Sequence, residues 1–172
     1  MLDIKNYIDD FPNFPIEGVL FRDITPILKN PEAYNFTIDS FIEIIKEKFP
    51  EVTHIVAPES RGFWIGCPVA AKHNLPLIPV RKPGKLPGEN IGVEYSLEYG
   101  NNGLFMRKGV IKEGDKIVII DDILATGGTL RGMEELCEKQ GAKVLGSIML
   151  IELLDLKGKD NVKAPVYSLV QY

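Results

Sequence analysis

Two adjacent carboxylates, Asp121 and Asp122, follow the apolar run Ile117-Val-Ile-Ile and lead into Ile123-Leu-Ala125-Thr126-Gly127-Gly128-Thr129. Paired carboxylates offer acceptors for the two hydroxyls of a sugar, and threonine hydroxyls are donors for a phosphate. Glycines between the threonines let a backbone come close to an anion. The order of residue types is that of a sugar-phosphate cradle. It is not a Walker loop, because the required lysine is missing, and it lacks the three spaced glycines of a dinucleotide fingerprint.

Such a cradle must be held at the end of a sheet. Residues 116–120 are rich in β-branched side chains and suit a strand buried on both faces, while 130–140 have helical spacing. The turn between them then sits at a strand's carboxyl end and a helix's amino end, where open α/β sheets bind ligands and unpaired N–H groups favour anions.

Three further clusters carry charge at comparable places. Glu59-Ser60-Arg61-Gly62 follows a short apolar run at 54–57; an arginine there can donate to two phosphate oxygens at once. Taken alone, Arg61 reads as a surface arginine in a turn. Arg81-Lys82-Pro83-Gly84-Lys85 follows the run 77–80 and sets three cations within five residues, a match for a diphosphate, although such charge runs usually are solvated faces. Tyr95-Ser-Leu-Glu98-Tyr-Gly100 places a carboxylate between aromatics; a closing loop there could bring Glu98 to a reacting ring, but taken alone the segment reads better as a hairpin with an exposed acid. His54 and His73 are too isolated for a metal site or a triad.

The remaining pattern is strands alternating with helices, which predicts an α/β fold with a mainly parallel central sheet flanked by helices. Residues 2–11 suit a short helix ended by Pro12 and Pro15, and 19–23 run extended. Asn30-Pro31-Glu32 marks a helix start, with Ile38, Phe41, Ile42, Ile45 and Phe49 on one face. A helix is predicted over 62–73, and later strands over 144–153 and 166–170. The segment 81–103 is a long polar loop, and 157–161 reads as a solvated turn.

With 172 residues and 45% hydrophobic content, the chain suits one well-buried domain. No apolar run could span a bilayer, and the amino terminus lacks the pattern of a signal peptide, so a cytoplasmic protein is the default. A net charge of −4 argues against nucleic acid as partner. Cys67 and Cys137 are read as buried free thiols, and Trp64 and Met149 as core or interface residues.

Residues 117–129 resemble the diphosphate-sugar signature of the type I phosphoribosyltransferases, and the Ala-Thr-Gly-Gly-Thr form is closest to the adenine-specific members. Phe14-Pro-Ile-Glu-Gly18, Val19-Leu-Phe-Arg-Asp-Ile-Thr-Pro26, Glu59-Ser-Arg-Gly-Phe63, Pro79-Val-Arg-Lys-Pro-Gly-Lys-Leu-Pro87 and Tyr95-Ser-Leu-Glu-Tyr-Gly100 extend the likeness over nearly the whole chain. It implies one domain over 1–172, with a hood at about 1–30 and a flexible catalytic loop at about 81–103. It also implies transfer of the 5-phosphoribosyl group of phosphoribosyl diphosphate (PRPP) to N9 of adenine, giving AMP and diphosphate.

By the same resemblance, Val19, Leu20, Phe21, Arg22 and Ile123 would hold adenine, with Phe21 and Ile123 sandwiching the ring. Asp121 and Asp122 would contact the ribose, Ala125, Thr126, Gly127, Gly128 and Thr129 the 5′-phosphate, and Ser60, Arg61, Arg81, Lys82 and Lys85 the diphosphate. Glu98 would be the acid–base group. Mg²⁺ would be held mainly by PRPP rather than by protein ligands, and Arg81 would reach a neighbouring subunit, implying a homodimer. Phe105 and Gly109 depart from the family pattern, where acids are common. Two other readings stay open: an enzyme for 6-oxopurines, which would need a donor that Leu130-Arg131-Gly132 does not clearly supply, and a non-catalytic PRPP sensor.

Overall fold

A computed structural model describes residues 2–96 and 101–172. Its centre is a five-stranded sheet built from β3 (His54–Pro58), β4 (Leu77–Val80), β7 (Lys116–Leu124), β8 (Lys143–Glu152) and β9 (Val166–Gln171), in the spatial order β4-β3-β7-β8-β9. Every pairing in it is parallel. The alternation of side chains along each strand divides the core into two layers. Ile55, Val118, Ile120, Ile148 and Leu150 face one cluster, and Val56, Ile117, Ile119 and Met149 face the other.

The first layer is covered by α2 (Pro31–Lys48) and α3 (Arg61–Lys72), and the second by α4 (Gly128–Lys139). Helix α2 starts where Asn30-Pro31 predicts: the Asn30 side chain accepts from the Ala33 N–H at 3.0 Å. Its face of Ile38, Phe41, Ile42 and Ile45 is buried, together with Phe49 just beyond its end. A short α1 (Thr25–Lys29) precedes it.

Several local expectations are corrected. Residues 2–11 form not one helix but a 3-10 turn at Ile4–Tyr7 followed by β1 (Asp9–Pro12), which pairs antiparallel with β2 (Leu20–Asp23) and aligns Phe11 with Phe21. Within the polar segment 81–103, and running past it, β5 (Asn90–Ser96) and β6 (Asn101–Arg107) pair antiparallel. Phe105 stands opposite Gly92 on β5, its ring lying where a Cβ on Gly92 or Gly103 would have to go. An aromatic over glycines holds two polar strands together without an alternating apolar pattern. Gly109 adopts φ +78 and donates its N–H to the Gln140 side chain at 2.7 Å.

Cys67 is exposed rather than buried, because Ile65, Gly66, Val69 and Ala70 take the inward face of α3. Trp64 is also exposed, whereas Met149 is core. Cys137 is buried as expected, and burial with Glu134 and Glu138 nearby pushes its thiol up to about 12. Among the described residues, no helix is long and apolar enough to cross a membrane.

Candidate active site

Strand order reverses beside β3, with β4 on one side and β7 on the other. In open parallel sheets this switch point opens a crevice at the carboxyl ends of the strands, and ligands bind there. Three of the chemical clusters converge on it. Arg61, which opens α3 directly after β3, puts Nη2 2.6 Å from Asp122 Oδ2 on β7. Arg81, directly after β4, has Nε 3.2 Å from Glu59 Oε1, and the Lys82 N–H donates to the same carboxylate. The backbones of Arg81 and Phe105 bond to each other in both directions at 2.8 Å, which ties the hairpin to this rim.

The paired acids lie within β7, which runs on to Leu124 instead of ending before them. Both are buried, Asp121 at 9% exposure and Asp122 at 3%. Asp121 Oδ1 accepts the Asp122 N–H at 2.8 Å, and the lack of a side chain at Gly62 allows α3 to start against Asp121. Burial pushes the Asp121 carboxyl well above the ordinary aspartate range, and the charge of Asp122 pushes it the same way. Burial also raises Asp122, with the Arg61 guanidinium pulling against it. For Glu59, burial pulls upward, but the Lys82 N–H and the Arg81 guanidinium hold it below the usual glutamate range.

A buried acid with a raised pKa binds its proton more tightly folded than unfolded, so its contribution to stability is largest on the acid side. That contribution fades as pH rises from the ordinary aspartate range through the raised native value. Asp121→Asn retains the acceptor for the Asp122 N–H and removes the charge. Its melting temperature should gain on that of the parent chain as pH is raised through this window, a difference that thermal scans of both proteins across pH would measure. Parallel pH profiles for the two proteins would rule out Asp121 as the strained charge.

Beyond β7 the chain turns through Ala125, Thr126, Gly127, Gly128 and Thr129 around a hollow of about 140 Å³, which Asp121 and Ile123 also line. Gly127 has φ +84, a left-handed conformation that glycine adopts without strain. The residue in the N-cap position of α4 is Gly127, which has no side chain with which to cap the helix. Thr126 and Thr129 are exposed.

The β1–β2 hairpin is attached to this rim through Arg61, whose Nη2 donates to the Arg22 carbonyl at 2.9 Å and whose guanidinium lies over the Phe21 ring at 4.8 Å. Arg22 itself pairs with Asp10 and stacks on Tyr172 at 3.6 Å. Phe14 meets Phe21 edge-on at 5.2 Å, while Val19 and Leu20 are substantially exposed. Ser60 is exposed and makes no capping bond, and Lys82 and Lys85 project into solvent. Glu98 lies outside the described residues.

Residues 24–171 match the phosphoribosyl transferase domain model. The chain belongs to the phosphoribosyltransferase family, in its adenine phosphoribosyltransferase branch. The adenine phosphoribosyltransferase of Carboxydothermus hydrogenoformans is 51% identical over 99% of this chain and 100% of its own. The crystal structure of the Thermoanaerobacter pseudethanolicus adenine phosphoribosyltransferase superposes with a TM-score of 0.93 at 40% identity, covering 98% of each chain. That of the Saccharomyces cerevisiae enzyme, solved with adenine and an imino-altritol bisphosphate, gives 0.92 at 41% identity and 96% coverage of each. The parallel sheet of this phosphoribosyltransferase is the one its sequence predicts.

One contact with the turn at 125–129 was not read from the sequence. Residues 157–161, read as a solvated turn, contain the buried Gly158, and Asn161 bonds to the backbone of Thr126. The other four residues are exposed, as a solvated turn requires, and only the partner surface distinguishes the buried Gly158 from an exposed glycine.

Proposed function

We propose that this phosphoribosyltransferase moves the 5-phosphoribosyl group of PRPP to N9 of adenine, releasing AMP and diphosphate. The observation that carries the reading is the Arg61–Asp122 pair beside the hollow of residues 125–129, at the switch point of the sheet. A sugar bound there would have acids at its hydroxyls, a glycine turn at its 5′-phosphate and cations at its leaving group. The yeast relative's complex with adenine supports the choice of base.

As the bond from C1 to diphosphate breaks, negative charge grows on the leaving group and positive charge on the ribose. Arg61, Arg81, Lys82, Lys85 and the Ser60 hydroxyl would stabilise the first, and Asp121 and Asp122 would orient the ribose and favour the second. The hairpin would act as the hood, with Phe21 and Ile123 against the faces of adenine and backbone groups of Val19, Leu20 and Arg22 at its edge. Glu98 would take up the purine's proton.

Among the described residues there is no group of three or more metal-ligating side chains. Paired carboxylates beside a phosphate hollow do suit Mg²⁺, which keeps several waters and takes most of its remaining ligands from substrate phosphates. When bound with PRPP, Mg²⁺ would neutralise charge on the leaving diphosphate. A homodimer in which Arg81 serves the neighbouring site rests on the family resemblance.

The test is product analysis with PRPP, Mg²⁺ and each purine base in turn. Adenine should give AMP, with hypoxanthine, guanine and xanthine slower by about 10² or more. A 6-oxo group reverses donor and acceptor at the base's edge and leaves buried partners unpaired. Faster conversion of guanine or xanthine would overturn the assignment.

A further inference from the structure

Behind the turn of residues 125–129 lies the 3-10 turn Gly158–Asn161. Asn161 Nδ2 donates to the Thr126 carbonyl at 2.7 Å. A Cβ on Gly158 would overlap the Ala125 carbonyl oxygen, and one on Gly127 would overlap the Gly158 carbonyl. The two backbones therefore touch at successive residues.

This second turn is itself anchored at both ends. Lys159 Nζ is 2.9 Å from Glu152 Oε2 on β8, a carboxylate only 5% exposed. On α4, the buried Glu134 accepts the N–H groups of Lys163 and Ala164, each at 3.0 Å. The anchors are independent of the substrate rim, so the turn is fixed before any ligand arrives.

We infer that Asn161 and Gly158 are positioning residues for the 5′-phosphate: they hold the 126–127 peptide with its carbonyl turned towards the second turn. The inference rests on the proposed reading of the hollow as the 5′-phosphate site. The 126–127 bond is trans, and in a trans peptide the C=O and N–H lie in one rigid plane and point in opposite directions. Holding the Thr126 oxygen towards Asn161 directs the Gly127 N–H the other way, as a donor for an anion. A flipped peptide would instead present a carbonyl oxygen to the phosphate and repel it.

The experiment uses ribose 5-phosphate and adenine as separate probes in calorimetric titrations of the whole protein. Asn161→Ala should weaken ribose 5-phosphate binding about three- to tenfold, the scale of one hydrogen bond. Adenine binding and the melting temperature should stay unchanged, and KM for PRPP should rise more than kcat falls. Asn161→Gln, which keeps an amide donor, should recover part of the affinity. Gly158→Ala should have the larger effect, since it meets a backbone oxygen of the loop rather than a movable side chain. Parent-like ribose 5-phosphate affinity in both Asn161→Ala and Gly158→Ala would overturn the inference. So would equal losses for both probes alongside a lowered melting temperature. If the unaltered protein fails to bind ribose 5-phosphate, the phosphate-site reading itself falls, and this inference with it.

Discussion

Glu98→Gln should turn over about 10² to 10⁴ times more slowly than the parent chain while binding PRPP and adenine almost as well, the scale expected for a lost general acid–base group. Bond formation at N9 displaces a proton from the purine, and a carboxylate is a suitable acceptor for it. Glutamine has nearly the same size and cannot take the proton. Strands β5 and β6 stay in register as far as Ser96 and Asn101, and Glu98 falls between them in sequence. The β5–β6 pair is tied to the rim of the switch point through Arg81 and Phe105. Steady-state rates beside calorimetric titration with PRPP test both halves. Parent-like turnover would remove Glu98 from the chemistry, and loss of PRPP binding in a folded variant would make it a binding residue.

Arg61→Met should lose both PRPP affinity and stability. Its guanidinium is 24% exposed and faces an Asp122 side chain that is 4% exposed. Removing one member of such a pair leaves a buried charge uncompensated, which costs about 2 to 4 kcal/mol here, a little under the range for fully enclosed pairs because the guanidinium keeps some water. The sign with pH follows from the acids. Arg61 lowers the pKa of Asp122 and Asp121 against their burial, so its removal raises both further. The deficit should grow as pH rises above the ordinary aspartate range and shrink below it, where both acids are protonated in either protein. Melting temperatures at about pH 5 and about pH 8 would show a larger gap at the higher pH; an equal gap would mean that the arginine acts by packing alone.

The parts of this fold legible in sequence are those whose signal is local. The β-branched runs of β3, β4 and β7 state buried parallel strands, and Asn30-Pro31 states a helix start. The Ala125–Thr129 order states a glycine turn between a strand and a helix, and the structure has one there. What was not legible depends on partners distant in the chain. Asp121 and Asp122 extend β7 because β8 pairs with the strand as far as Leu124, a fact no carboxylate advertises. Residues 9–12 become a strand because β2 offers an edge, and Gly92 and Gly103 tolerate a strand because Phe105 covers them. At the site, the clusters at 59–62, 81–85 and 121–129 were recognisable as chemistry, whereas the bond from Arg61 to the Arg22 carbonyl depends on how the hairpin lies against the sheet.

That last bond gives Arg61 two masters. One side chain holds the backbone of the hairpin and neutralises an acid on the sheet, so the seating of the hairpin and the charge on Asp122 are not energetically separate. A molecule that draws the guanidinium away from Asp122 also shifts the support of the hairpin, and one that presses on the hairpin shifts the pair. On the proposed reading of the site, free-energy linkage makes the exchange mutual: whatever factor a diphosphate sugar applies to the affinity for a planar base, the base must apply to the affinity for the sugar.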